Sequence, residues 1–172
     1  MEYIFLSGIH GVGKSTLAGK LKNSLDIKSI SVSDLIRKSG QSLDSSNKRT
    51  TNISGNQELW KNELNNLNLG ISKLLLDGHF CLLNEDEHII SLPFSSFDGT
   101  NMVKIIFMKN KPEVIRNRLL ERDNSDYPTK LLREFQDCEM KRAMEYSAEK
   151  EIDLFIYDEE QPLSELLNFI TN

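Results

Sequence analysis

A glycine-rich segment near the start of the chain constrains the fold more than any other feature. Residues 8–16 read Gly-Ile-His-Gly-Val-Gly-Lys-Ser-Thr and fit the pattern G-x-x-x-x-G-K-[ST]. The apolar run 3–6 before this segment predicts a buried strand, and the run 17–21 after it predicts a helix. Strand, glycine loop and helix in this order are the context that the motif requires. The sequence therefore predicts an α/β fold that begins with this unit.

A loop of this kind binds phosphate groups. Its glycines allow backbone conformations that are closed to other residues, so that successive N–H groups can point at one phosphate. The start of the following helix adds the positive end of its dipole. Lys14 is expected to reach the β- and γ-phosphates of a nucleotide, and the Ser15 hydroxyl is expected to bind Mg²⁺. The predicted nucleotide contacts are Gly8, His10, Gly11, Val12, Gly13, Lys14, Ser15 and Thr16.

Short apolar runs alternate with helical patterns along the rest of the chain. Strands are predicted at 3–6, 29–32, 72–76, 103–108 and 154–157, and helices at 14–25, 33–38, 57–69, 112–121, 128–149 and 162–170. Short apolar strands are typical of parallel sheets that are covered on both faces. This order predicts a three-layer α/β/α fold around a five-stranded parallel sheet, in a single domain spanning residues 1–172. Two further runs, 80–83 and 88–92, predict either a small hairpin or part of a cleft wall.

The composition excludes several classes of protein. The 172 residues carry a net charge of −5, which argues against broad nucleic-acid binding. No apolar run approaches the ~20 residues of a membrane span. The first strand begins at Tyr3 and leaves no room for a signal peptide, so that a cytoplasmic location is expected. Cys81 and Cys138 have neither metal-binding nor disulfide spacing and are expected to be thiols in a reducing compartment.

An aspartate at the end of a predicted strand suggests what the nucleotide is used for. The strand 72–76 leads directly into Asp77, which is expected to lie near the Mg²⁺ ion as a second metal ligand. The alternative is an ordinary cap of the strand end. ATP-hydrolysing motors usually carry a water-activating glutamate next, and here that position is Gly78. This favours phosphoryl transfer to a substrate. The segment 110–113, Asn-Lys-Pro-Glu, approaches the guanine-reading pattern N-K-x-D but is better explained as the start of a helix.

Two arginines on one predicted helix are candidates for charge stabilisation. Arg118 and Arg122 are four residues apart and share a helix face, whereas Arg116 is expected to face solvent. Guanidinium groups match phosphate oxygens and neutralise charge during transfer. The range 116–128 is therefore predicted to form a short lid with Arg118 and Arg122 as catalytic residues. The alternative is a charged outer face paired with neighbouring carboxylates.

Taken together, these features resemble a known family. The loop 8–16, the strand end Asp77-Gly78-His79 and the helix containing Arg118 and Arg122 are similar to the nucleoside-monophosphate kinase branch of phosphate-loop kinases. The small archaeal-type adenylate kinases are the nearest comparison. This resemblance implies ATP as donor, Mg²⁺ as cofactor, a nucleotide-like acceptor and lid arginines at positions 118 and 122.

The acceptor is expected to lie across the carboxyl ends of the strands, opposite the donor phosphates. Candidate substrate-binding residues are Asp34, Arg37, Arg49, Gln57 and His79. Asp34 and Arg37 fall in the first turn of a helix whose expected N-cap is Ser33, and ordinary capping is the alternative explanation for them. The polar range 39–56 is predicted to be an acceptor-side flap. Trp60, the single tryptophan, is expected in the core.

Three hypotheses remain open at this point. The first is an ATP- and Mg²⁺-dependent kinase for a small molecule, most readily a nucleoside or nucleoside monophosphate. The second is a nucleotide-dependent switch or regulatory ATP-binding module that acts on a protein partner. The third is a kinase for a non-nucleotide alcohol, which would not need two arginines on the acceptor side. Stimulation of ATP turnover by a small acceptor distinguishes the kinases from the switch. The sequence indicates neither the base preference nor the oligomeric state.

Overall fold

A computed structural model describes residues 1–39, 53–67, 70, 73–84 and 86–172, with the side chains of 53–57 excepted. Its strands are β1 (Glu2–Ser7), β2 (Ile27–Ser31), β3 (Lys73–Gly78), β4 (Cys81–Leu83), β5 (Ile89–Ser91), β6 (Asn101–Met108) and β7 (Asp153–Tyr157). Its helices are α1 (Lys14–Lys22), α2 (Val32–Lys38), α3 (Ile53–Asn65), α4 (Pro112–Asp123), α5 (Thr129–Lys150) and α6 (Leu163–Thr171), with a short 3-10 helix at Phe94–Phe97.

The central sheet has five parallel strands in the order β2-β3-β1-β6-β7. The strand β1 lies in the middle, and the chain fills first one side of it and then the other. The carboxyl end of β1 therefore lies where the strand order reverses, which is where open α/β sheets bind ligands. The predicted fold class is confirmed.

Alternate residues of β1 point into two separate cores. Tyr3 and Phe5 pack on the side of the sheet that carries α2, α3 and the second half of α5. Ile4 and Leu6 pack on the other side, with α1 and α6. Because successive side chains of a strand face opposite sides of a sheet, both faces of this strand must be covered. This produces the three layers.

The remaining strands, β4 and β5, form a separate small sheet. Strands β4 and β5 pair as an antiparallel hairpin, which is one of the two arrangements that the sequence allowed, and both strands contact α5. Trp60 is 1% exposed in the core, as expected. No helix in the described part of the chain is both long and apolar enough to cross a membrane.

Three details differ from the sequence-based expectations. Helix α3 begins at Ile53 and not at residue 57, so that the last part of the predicted flap, 53–56, is helical, and 40–52 lies outside the described residues. The N-cap of α2 is Ser31 and not Ser33, because the Ser31 hydroxyl accepts a hydrogen bond from the backbone N–H of Asp34. The sulfurs of Cys81 and Cys138 lie 2.8 Å apart, a proximity that their separation in sequence did not indicate.

Candidate active site

The glycine loop joins β1 to α1 at the centre of the sheet edge. Helix α1 begins at Lys14, and its N-cap Gly13 has a φ of 116°, which is costly for any residue with a Cβ atom. Space is equally limiting, since a Cβ atom at Gly13 would lie 2.8 Å from Glu159 Oε1 and 3.1 Å from Arg118 Nη1. The side chains of Ser15 and Thr16 are exposed at the helix start. The local geometry is therefore that of an anion-binding loop.

Lys14 is buried and contacts the chain at the carboxyl ends of β1 and β3. Its Nζ donates to the carbonyl oxygen of Gly8 and, at 3.2 Å, to that of Gly78. The same nitrogen lies 3.1 Å from Asp77 Oδ1, in an ion pair whose partners are 7% and 21% exposed. This arrangement places a cation at the base of the loop, where it can exchange backbone carbonyls for phosphate oxygens.

The end of β3 supplies the acidic partner. Asp77 lies opposite Leu6 of β1 and Ser31 of β2 in the sheet register, so the parallel pairing brings its carboxylate to the loop. The next residue, Gly78, lies against the ring of Phe5, and a Cβ atom there would lie 2.6 Å from Phe5 Cε2. A larger residue such as glutamate does not fit at position 78 without moving the core.

Two histidines face each other beside Lys14. The ring centroids of His10 and His79 are 4.4 Å apart, and both ring nitrogens of His79 lie 3.4 Å from Lys14 Nζ. His10, one of the predicted nucleotide contacts, is among the residues that line the cavity. Both imidazoles therefore adjoin the space above the loop.

Helix α4 brings the two predicted arginines to the cavity. Arg118 donates to the carbonyl oxygen of Val12 at 2.8 Å and to both carboxylate oxygens of Glu159, at 2.9 and 3.1 Å. Arg122 forms a two-pronged ion pair with its neighbour Asp123, at 2.7 and 2.9 Å. Both line the cavity. Arg116 points elsewhere and pairs with Asp126.

Glu159 is a cavity residue that the sequence analysis did not identify. It follows β7, and its hydrogen bond from Arg118 lowers the pKa of its carboxyl group, although partial desolvation opposes the shift. The bond joins residues 41 positions apart, so no local pattern indicated it. Glu159 holds Arg118 against the phosphate loop.

Glu139 is a second residue that the sequence analysis missed. It is fully buried in α5, and its carboxylate accepts hydrogen bonds from the Ser7 hydroxyl and from the backbone N–H groups of Phe80 and Cys81. Burial raises the pKa of Glu139, while these hydrogen bonds and the charge of Lys14 oppose the shift. The one available signal was its spacing, because positions 135, 139 and 143 share a helix face that is otherwise apolar.

The phosphate loop, the end of β3 and helices α2, α3 and α4 border a cavity of about 720 Å³. This volume is within the range of small-molecule sites. One end is polar and is formed by the phosphate loop, α4 and Glu159. The other end lies toward α2 and α3 and is lined by Phe5, Ser31, Val32, Ser33, Ile36, Trp60, Leu92 and Phe97. Asp77 and His79 are among the residues between the two ends.

The predicted acceptor residues do not all line the cavity. His79 lines the cavity, whereas Asp34 and Arg37 lie on another face of α2, pair with each other and border a separate surface recess. The turn of α2 therefore presents Ser33 and Ile36 to the cavity instead. Arg49 lies outside the described residues, and Gln57 is described only as part of the backbone of α3.

The donor set fits a magnesium ion that is bound mainly through phosphate. The Ser15 hydroxyl and the Asp77 carboxylate line the cavity beside the loop and could supply oxygen ligands, which Mg²⁺ prefers. Among the described residues, no group of three or more His, Cys, Asp or Glu side chains could hold a metal ion. Mg²⁺ commonly takes one or two protein ligands together with substrate phosphates, and this site matches that pattern.

Comparisons with known proteins agree with this fold. A family model described as "AAA domain" matches residues 7–136, more than half of the chain. A gluconokinase from Sinorhizobium meliloti 1021 is similar in structure, with 16% identity, a TM-score of 0.51 and coverage of 97% of this chain and 87% of that one. An unliganded sugar kinase from Janibacter sp. HTCC2649 has 15% identity, a TM-score of 0.56 and coverage of 99% and 92%. No curated protein sequence matches the chain.

Proposed function

The chain belongs to the AAA domain family, and from this premise we propose that it is an ATP- and Mg²⁺-dependent kinase for a small-molecule acceptor. The observation that carries the proposal is the contact of Lys14 with Asp77 at the base of a cavity that extends well beyond the phosphate loop. A site for ATP alone does not need the second, apolar end. The cavity offers room for a donor phosphate and an acceptor at the same time.

The proposed chemistry rests on position and charge. Lys14 exchanges its contacts with Gly8 and Gly78 for oxygens of the transferring phosphoryl group. The backbone N–H groups of the loop hold the donor phosphates, and Ser15 and Asp77 hold the metal. The Mg²⁺ held there would supply positive charge that offsets part of the phosphate charge. Such a site needs little covalent participation from the protein.

Arg118 and Arg122 are proposed to stabilise the phosphoryl group from the lid side. Their present partners, Glu159 and Asp123, keep both guanidinium groups at the cavity wall. Arg118 is held on two sides, by Glu159 and by the carbonyl of Val12, which fixes it beside the phosphate loop. The range 116–128 forms the proposed lid, and the range 39–56 the proposed flap.

The site favours transfer over hydrolysis. A water-activating carboxylate directly after Asp77 is excluded sterically, since the ring of Phe5 occupies the space that a side chain at position 78 needs. Glu139 is fully buried and already accepts three hydrogen bonds, so that it is not available to a cavity water. Aromatic and apolar walls at the acceptor end also help to exclude water.

The acceptor that we propose is a nucleoside or a nucleoside monophosphate. The acceptor end is largely apolar, and the half-buried side chain of Val32 adjoins it, which suits the apolar faces of a base. Ser33 and His79 can hydrogen-bond to an acceptor hydroxyl or base edge. A monophosphate needs an added cation, and we propose Arg49 for that role. Asp34 and Arg37 are less suitable, because they lie on a different face of α2.

A sugar or sugar acid is the second candidate. The hydroxyl groups of Ser31 and Ser33, together with His79, supply the kind of hydrogen bonds that a polyol requires. The similar structures named gluconokinase and sugar kinase support the same possibility. The two candidates differ in what the acceptor end must bind, a flat ring or a chain of hydroxyl groups.

ADP release from Mg·ATP tests the proposal. The acceptors are a panel of nucleosides, nucleoside monophosphates, sugars and sugar acids, and the product is identified by its mass. We expect one class to stimulate ADP release strongly. Lys14→Ala should lower the stimulated kcat by roughly 100- to 1,000-fold, since it removes a charge that stabilises the transition state. Removal of Mg²⁺ by a chelator should abolish the reaction.

Lys22→Ala is the matched control, because Lys22 lies on the same helix but is exposed and outside the cavity lining. It should leave the stimulated rate unchanged. Full activity in Lys14→Ala would contradict the proposal. Tight ATP binding without stimulation by any acceptor would favour the nucleotide-dependent switch instead.

A further inference from the structure

The two cysteines of the chain form a cluster that the proposed chemistry does not use. Cys81 begins β4 and is fully buried, and Cys138 lies near the middle of α5 and is half-buried. Their Sγ atoms are 2.8 Å apart although 57 residues separate them in sequence. A disulfide bond is about 2.05 Å long, so that only a small approach separates the pair from a covalent bond.

Both sulfurs are held in place by their surroundings. The backbone N–H of Cys81 donates to Glu139 Oε2 at 2.6 Å, and Glu139 is the residue after Cys138. Strand β4 is further fixed by its pairing with β5, in which Cys81 lies opposite Ser91. The proximity of the sulfurs therefore follows from a strand, a helix and a buried carboxylate rather than from two loose side chains.

The two thiols differ in how readily an oxidant reaches them. Burial raises the pKa of the Cys81 thiol, and its contact with Cys138 and the charge of Glu139 raise it further. Cys81 therefore stays protonated and enclosed. Cys138 is partly exposed, and the hydroxyl of the exposed Ser91 lies 3.5 Å from its sulfur. Cys138 is the sulfur that an external disulfide meets first.

From this geometry we infer that Cys81 and Cys138 form a reversible intramolecular disulfide, a modification site that joins β4 to α5. In the first step the Cys138 thiolate attacks one sulfur of a small disulfide such as oxidised glutathione, forms a mixed disulfide and releases one thiolate. In the second step the Cys81 sulfur attacks Cys138 Sγ, its proton passes to the departing sulfur of the mixed disulfide, and that group leaves as the second thiol. Two protein thiols are oxidised, and one external disulfide is reduced to two thiols.

The bond would lie close to the active site and would join β4 to α5. Cys81 lies two residues after His79, and the intervening Phe80 also donates its backbone N–H to Glu139. A covalent link restricts the unfolded chain by closing the long segment between the two residues. The oxidised protein should therefore resist unfolding more than the reduced protein does.

The full-length protein is treated with excess oxidised glutathione and then assayed for free thiols in denaturant, intact mass and migration without reductant. We expect the thiol count to fall from two to zero, with the loss of two hydrogen atoms, no glutathione adduct and migration as a monomer. Dithiothreitol should restore both thiols. Glutathione adducts on both cysteines, covalent dimers or two unreacted thiols would each overturn the inference.

A second measurement separates the bond from a general effect of the oxidant. The urea midpoint of the oxidised protein should lie above that of the reduced protein. Cys138→Ser should show no such increase, because it retains the size of the side chain but cannot form the bond. An increase of equal size in Cys138→Ser, or a lower midpoint for the oxidised wild type, would contradict the inference. Neither measurement depends on kinase activity.

Discussion

At the scale of single residues, Gly78 illustrates how one position can serve both packing and chemistry. A Cβ atom there would lie 2.6 Å from Phe5 Cε2 and 3.1 Å from Val32 Cγ2. The Phe5 ring cannot move aside easily, since it is fully buried and packs edge-on against Phe80 and Phe97. Because glycine has no side chain, position 78 also lacks the carboxylate that an ATP-hydrolysing site would use.

Gly78→Ala should therefore destabilise the protein. We expect a loss of about 1–3 kcal/mol in the free energy of unfolding, because the added methyl group overpacks a rigid aromatic core. Urea unfolding at neutral pH measures this loss. Gly19→Ala is the control, since Gly19 lies in α1 with open space around it, and alanine should gain up to about 1 kcal/mol there. Equal stability of Gly78→Ala and the wild type would refute the packing argument.

At the scale of elements, helix α5 connects the core to the active site through Glu139. The carboxyl group accepts hydrogen bonds from Ser7, the last residue of β1, and from the backbone N–H groups of Phe80 and Cys81, where the chain enters β4. These segments flank the phosphate loop on one side and the Asp77–His79 stretch on the other. One buried carboxyl group therefore links the two halves of the site.

Glu139→Gln should weaken this junction. Glutamine retains the size of glutamate, but its NH₂ group presents two donors, whereas a carboxylate presents none and a protonated carboxyl one, and the protein already supplies donors at this site. We expect a loss of about 1–3 kcal/mol in the free energy of unfolding. Glu134→Gln is the control, since Glu134 lies on the same helix, is more than half exposed and should change stability by less than about 0.5 kcal/mol. A Glu139→Gln protein as stable as this control would contradict the assigned role.

The effect of Glu139→Gln on stability should depend on pH. Burial raises the pKa of Glu139 in the folded protein, so that the folded state holds this proton at pH values where the unfolded state has lost it. The stability contribution of Glu139 is therefore complete below about pH 4.3, the usual carboxyl pKa. It falls as the pH rises through the pKa of the folded state. The stability difference between wild type and Glu139→Gln should shrink over that interval, as urea unfolding at several pH values can show.

At the scale of the whole molecule, one sheet supports two cores. Residues of β1 alternate between the side with α2 and α3 and the side with α1 and α6. A strand that belongs to both cores cannot unfold on one side alone. This shared sheet is the physical basis for the proposed single domain spanning residues 1–172.

Leu21→Ala tests this cooperativity from the far side of the sheet. Leu21 is fully buried in the core with α1, whereas Trp60, the single tryptophan, is buried in the opposite core. The substitution should cost about 2–5 kcal/mol. If the chain is one cooperative unit, Trp60 fluorescence and far-ultraviolet circular dichroism should report the same lowered urea midpoint. An unchanged midpoint for Trp60 fluorescence would indicate two units that unfold independently.

The sequence alone determined the features that depend on neighbouring residues. The phosphate loop is one continuous segment, and short apolar strands alternating with helices leave few topologies other than a parallel sheet. Asp77 was predictable beside the phosphate loop, because it lies near the carboxyl end of a strand and parallel strands bring those ends to one edge of the sheet. The adenylate-kinase comparison and the acceptor stay predictions, since neither follows from a local pattern.

Tertiary structure decided the features that depend on distant residues and on side-chain direction. The turn of α2 directs Asp34 and Arg37 away from the cavity, although their sequence positions suggested the opposite. The contact between Ser7 and Glu139 joins residues 132 positions apart, and the Cys81–Cys138 pair spans 57. The physical reason is that packing chooses these neighbours. A buried carboxylate or thiol acquires its role from the groups that the folded chain places around it, and no spacing in the sequence specifies them.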